Sequence, residues 1–115
     1  MTFDEYQQFA ITTDLGKDQT RQYAHDPAYV DKILSLVGES GEIAEKYKKI
    51  IRDKKGIISE EDKQEITKEL GDVLWYIAVI AHYLDVPLDV LAKANVDKLT
   101  SRKQRGVLSG KGDNR

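Results

Sequence analysis

The run Glu69-Leu-Gly-Asp72-Val-Leu-Trp-Tyr-Ile-Ala-Val-Ile-Ala-His-Tyr-Leu84 decides the fold. From Val73 to Leu84 it is apolar almost all round, interrupted only by His82. It is well short of the roughly 20 residues that a bilayer crossing needs, so it reads as a helix buried on every side. Just ahead of it, Glu69 and Asp72 stand three residues apart, a spacing that puts both carboxylates on one side of a helix. The same spacing occurs upstream in Glu39-Ser-Gly-Glu42. Four like charges brought together repel unless a cation sits among them. The two motifs therefore read as halves of one divalent-cation site.

Working outward, helical periodicity covers most of the chain. Upstream, Asp26-Pro27 reads as an N-cap followed by proline at the first helical position. The helix it opens runs to about Lys54, with Ile33, Leu36, Val37, Ile43, Ala44, Tyr47, Ile50 and Ile51 in one stripe. Lys54-Lys55-Gly56 suits its end, with cations at the negative end of the dipole and then a glycine. Ser59 with Asp62 resembles a cap for the next helix, which runs to about Asp85. Its expected core stripe is Ile66, Leu70, Val73, Leu74, Ile77, Ala81 and Leu84. Pro87 opens a last helix with Leu88, Leu91, Ala92, Asn95, Val96 and Leu99 on one face. At the other end, Thr2 and Glu5 form a capping box for a short helix carrying Phe3, Tyr6, Phe9 and Ala10. Residues 14–26 read as a mostly irregular connection. Residues 106–115 contain three glycines and read as a flexible basic tail, or as a loop that orders around a ligand.

The expectation is one all-α domain over residues 1–115, a protomer of four to five helices. Because Trp75, Val79 and Tyr83 point away from the stripe of their own helix, a chain this size has too few helices to cover it. A second copy is expected to complete the bundle, as a dimer or a dimer of dimers. The net charge of −2 gives no basic field for nucleic acid. The absence of cysteine excludes disulfides and thiolate metal sites. With no signal peptide or membrane span in view, a cytoplasmic protein is expected.

Spacing alone is weak, since Asp62/Glu65 and Glu42/Glu45 share it. Phase adds weight: Glu39 and Glu69 both border the apolar stripe of their helix, with Glu42 and Asp72 one step further out. Gly38, Gly41 and Gly71 lie beside the acids inside helices, at about 1 kcal/mol each relative to alanine. They permit either close helix packing or room for a hydrated ion and a phosphate. Carboxylates without cysteine or an adjacent histidine suit magnesium, with manganese as the alternative. His82 reads as a packed or interface residue. On the last helix Asn95, Lys98 and Arg102 lie in one line. Asn95 is either satisfied by backbone or bonded to a carboxylate or phosphate oxygen. Lys111 and Arg115 in the tail are further phosphate candidates. Lys46 and Lys49 flank the acids, and Lys49 is accounted for by an ion pair with Glu45.

In combination these residues resemble the MazG-like nucleoside triphosphate pyrophosphohydrolases. The resemblance rests on Glu39-x-x-Glu42, on Glu69-Leu-Gly-Asp72-Val-Leu-Trp-Tyr, on Ala94-Asn95-Val-Asp-Lys98-Leu with Arg102, and on the glycine-rich end of the chain. It implies an all-α enzyme cleaving the α–β phosphoanhydride bond of an NTP with magnesium, giving NMP and pyrophosphate. Glu39, Glu42, Glu69 and Asp72 would then be metal ligands, with Glu39 or Glu42 holding the attacking water. Asn95 and Lys98 would contact the metal-bound phosphates. House-cleaning of the nucleotide pool is a role implied by the resemblance only. The alternative is a non-catalytic helical oligomerisation or nucleotide-binding module of the same fold. Trp75, Tyr76 and Tyr83 are candidates for stacking on a base, or equally core or interface residues.

Overall fold

The computed structural model describes residues 1–115 as four helices and no strand. They are α1 (Phe3–Thr12), α2 (Pro27–Lys54), α3 (Glu60–Tyr83) and α4 (Leu88–Gln104). The all-α expectation holds, with four helices. Two start where their side chains can satisfy the free N–H groups of a first turn. Thr2 Oγ1 accepts from the Glu5 N–H at 3.1 Å, and Glu5 Oε2 accepts from the Thr2 N–H at 2.7 Å. Ser59 and Asp62 make the same reciprocal pair at the head of α3. Asp62 also accepts from Lys54 Nζ at 2.9 Å, which ties the end of α2 to the start of α3. That lysine first, and the Ser59 bonds after it, pull the Asp62 carboxyl down to about 2. Asp26 does not cap α2 with its side chain; its carboxylate instead holds the Gln22 and Tyr23 N–H groups of the preceding loop.

α2 and α3 pack as a hairpin, and α1 and α4 pack on α3 and on each other. The chain turns by 102° between α3 and α4, through Asp85 in the left-handed region. α1 braces that corner. Gln7 Nε2 donates to the Ala78 and Val86 carbonyls, both at 3.0 Å, and Gln7 Oε1 accepts from the Leu88 N–H at 3.1 Å. Asp4 accepts from the Asp89 N–H at 2.9 Å. Pro87 offers no side-chain cap to α4, so α1 supplies the acceptors.

The core lies at this end: Ala10, Ala28, Ala78, Val79, Tyr83 and Leu88, with Tyr6, Ile11, Tyr29, Trp75 and Ile77 against it. Here the sequence-based stripes need correcting. On α3 the buried residues include Val79 and Tyr83, whereas Leu70 and Leu84 are exposed. On α2 the stripe residues Ile33, Val37, Tyr47 and Ile51 are between 42% and 67% exposed, and only Ile50 is buried. The reason is charge. α2 meets α3 along a seam occupied by Lys32, Glu39, Lys46 and Lys54, which leaves its apolar stripe turned outward.

Only 14 of 115 residues are buried, and the radius of gyration is 17.1 Å against about 13 Å for a compact chain of this length. The surface of 8390 Å² exceeds the roughly 6400 Å² of a typical monomer of this mass. The expected flexible tail is a closed loop in this structure. Arg115 threads its guanidinium onto the carbonyls of Val107, Leu108 and Gly112. No single helix is long and apolar enough to cross a membrane.

Candidate metal and nucleotide site

The α2–α3 seam brings three of the four predicted acids together. Carboxylate oxygens of Glu39, Glu69 and Asp72 lie within 4.8 Å of one another. Glu39 and Glu69 are half-buried in the seam and Asp72 is exposed at its edge. The Glu39 carboxyl is held above its usual value, by loss of solvent first and then by the Glu69, Asp72 and Glu42 carboxylates around it. Glu42 stands one turn on, exposed and outside the cluster. One cation approaches the acid cluster: Lys46 Nζ lies 3.7 Å from Glu69 and 3.9 Å from Glu65. It leaves the Glu39–Asp72 side of the cluster without a counter-charge. Three hard oxygen donors with uncompensated negative charge fit a divalent cation of the magnesium type. Lys49 does not take the expected pairing with Glu45, which goes to Lys48 at 3.8 Å.

Beside the acids, a cavity of about 330 Å³ is lined by Thr13, Glu39, Asp72, Trp75 and Tyr76. Its walls are fixed from α1. Trp75 Nε1 donates to Thr13 Oγ1 at 2.8 Å, and the Trp75 and Tyr76 rings meet edge to face at 4.9 Å. The next residue, Asp14, is fully enclosed. Its carboxylate accepts from Lys32 Nζ at 2.9 Å, the Gly16 N–H at 2.9 Å and the Tyr83 hydroxyl. Burial alone would raise the Asp14 carboxyl, but the Tyr83 and Lys32 bonds outweigh it and hold it low. Burial would likewise lower Lys32, and the bond and charge of Asp14 hold it high. Burial, then the Asp14 bond, push the Tyr83 phenol up to about 12. Sequence reading missed this knot. Lys32 lies seven residues before Glu39, two turns back on the same face, which was the one available signal.

The predicted cations lie elsewhere. α4 packs on α1 and α3 and not on α2. Asn95 is exposed, and the Leu91, Val96 and Leu99 side chains near it on α4 are also exposed. Lys98 and Arg102 bond to Asp113, Arg115 is spent on carbonyls, and Lys111 is exposed and unpaired. Within one protomer Glu69 and Asp72 sit on one arm of the 102° corner, roughly 17–21 Å along α3, and Lys98 and Arg102 on the other, roughly 15–21 Å along α4, at about 1.5 Å per residue.

Residues 31–107 match the MazG nucleotide pyrophosphohydrolase domain. The chain belongs to this family. The match spans both acid pairs, Asn95, Lys98 and Arg102, and leaves out α1 and most of the closed loop. Among known proteins, the Gene 37 protein of Mycobacterium phage L5 is 55% identical over 82 residues, covering 71% of this chain and 72% of that protein. The uncharacterized protein YvdC of Bacillus subtilis (strain 168) is 39% identical over 72 residues, covering 58% of this chain and 68% of that protein. No solved structure matches the chain.

Proposed function

We propose that this MazG-family chain is a magnesium-dependent nucleoside triphosphate pyrophosphohydrolase, with a role in clearing unwanted nucleotides from the pool. The observation that carries the reading is the convergence of Glu39, Glu69 and Asp72 inside the family-matched region. These three residues, with Glu42 at the mouth, would hold magnesium or manganese. When bound, the cation offsets phosphate charge and lowers the pKa of a coordinated water.

The chain's own residues do the rest. Glu39 or Glu42 holds the attacking water and accepts its proton. The water oxygen bonds to the α-phosphorus, the bond to the α–β bridging oxygen breaks, and NMP and pyrophosphate leave. The cavity walled by Trp75 and Tyr76 receives the nucleoside. Asn95, Lys98 and Arg102, with Lys111 and Arg115 as further candidates, meet the phosphates and stabilise the charge of the departing pyrophosphate.

Because α4 does not touch α2, these cations reach the acids of a second copy. A homodimer or dimer of dimers is supported by the outward apolar stripe of α2 and by the excess surface of about 2000 Å² per protomer. The test is a screen of ordinary and modified NTPs with magnesium, scoring pyrophosphate release. Release by the native chain and its loss in Glu69→Gln is the expected result. Nucleotide binding with no pyrophosphate from any NTP would leave a non-catalytic nucleotide-binding module instead.

A further inference from the structure

The loop that follows α4 is built around an anion of its own. Asp113 Oδ1 accepts from Lys98 Nζ at 3.0 Å and from Arg102 Nη2 at 3.1 Å, and the Asp113 carbonyl accepts from the same Arg102 nitrogen. These are the cations the functional reading assigns to substrate phosphate. The loop that brings Asp113 there is shaped by its glycines. Gly110 has φ +145°, and a Cβ on it would meet Arg115 Cδ at 3.0 Å. Gly112, beside Asp113, has φ +85°. Arg105 closes the ring by donating to the Arg115 carbonyl at 2.8 Å.

Two observations set this contact apart from ordinary surface pairing. Arg102 is 5% exposed, yet its Nε is buried without an acceptor. The loop uses one nitrogen of a fork that matches two oxygens side by side, and leaves another donor unfilled. A phosphate, with several oxygens on one centre, fills such a fork more completely than Asp113 does. Further, the Asp113 side chain is 78% exposed, so its pair with the partly exposed Lys98 is of the weak, easily broken kind, and solvent reaches the Asp113 end of its pair with Arg102.

We propose that Lys98 and Arg102 form a polyphosphate seat that Asp113 holds shut in the free protein, and that phosphate oxygens displace Asp113 on binding. The idea rests on the pyrophosphohydrolase reading for its ligand, and the seat itself needs only a polyanion. Asp113 keeps the two cations ordered and neutralised between turnovers. It competes with substrate on the way in and with retained pyrophosphate on the way out.

The test is calorimetric titration of the full chain with inorganic tripolyphosphate at low ionic strength, for the native protein, Asp113→Asn and Asp113→Ala, each checked for helicity. Tripolyphosphate is expected to bind both variants about three- to tenfold more tightly than the native chain, with the gain lost when Lys98→Ala is added. Unchanged or weaker binding in both variants, or no binding to any of the proteins, overturns the proposal. Pyrophosphate release from NTPs by the same proteins separates the two ideas. Turnover with no change in tripolyphosphate affinity overturns the seat and leaves the enzyme. Tighter tripolyphosphate binding with no turnover of any NTP keeps the seat and overturns the enzyme.

Discussion

Two charged clusters lie along the same α2–α3 seam and have opposite characters. At one end Asp14, Lys32 and Tyr83 form a closed knot in which each charged or hydroxyl group has its partner. Two turns along α2, Glu39 faces Glu69 and Asp72, and only Lys46 approaches, from the Glu69 side. The first cluster is complete without a ligand. The second is a set of like charges that the fold holds together against repulsion, and its Glu39 carboxyl is raised by loss of solvent first and by those neighbouring carboxylates second. The difference teaches how to tell a structural charge from a waiting one: by whether the chain itself supplies the counter-charge.

That contrast can be broken from either side. Removing one partner of the knot should give the largest effect. Lys32→Met leaves Asp14 enclosed and unpaired and should cost about 3–5 kcal/mol of stability, read by chemical denaturation. A loss below about 1 kcal/mol would show that the knot is not buried in solution. Next, Glu69→Gln should reduce pyrophosphate release by about a hundredfold or more while leaving the ion-free protein as stable as before, or more so. Equal destabilisation in the two variants would erase the distinction between the clusters.

The pH dependence sharpens the comparison at smaller scale. Glu39 binds its proton more tightly folded than unfolded, so its contribution is present below its ordinary value of 4.5 and is lost as pH rises beyond it. Asp14 and Asp62 have the opposite sign: their contributions are present above 3.8 and lost as pH falls, for Asp62 through about 2. Ion-free protein should therefore be most stable in mildly acidic buffer and lose melting temperature toward neutrality. Glu39→Gln should flatten that decline without changing the acid limb. A decline of the same size in the variant would assign it to other groups. The smallest effect is expected at Thr13→Val, which leaves the Trp75 N–H without its acceptor. About 1 kcal/mol of stability should go, with a rise in KM for nucleotide larger than any change in kcat.

The sequence showed the helices well, because capping signals such as Thr2/Glu5 and Ser59/Asp62 are local and the structure makes the same bonds. The acid pairs were legible for the same reason: spacing of three is a property of one helix. What sequence could not show was which face of α2 turns inward. Apolar periodicity pointed to Ile33, Val37 and Ile51, whereas the charged seam faces α3. Periodicity reports that a face is apolar, not what it packs against. Asp14 was illegible because its partners, Lys32 and Tyr83, are 18 and 69 residues away. The bonds from Lys98 and Arg102 to Asp113 were equally hidden, since a glycine-rich basic segment reads as flexible until a specific acceptor is seen.

We propose that Glu39, Glu69 and Asp72 await a divalent cation. Calorimetric titration of the native chain with magnesium, beside Glu69→Gln under the same conditions, tests it most directly. Saturable binding by the native chain that is lost in the variant is the predicted result. Equal heats in both proteins, or none in either, would contradict it.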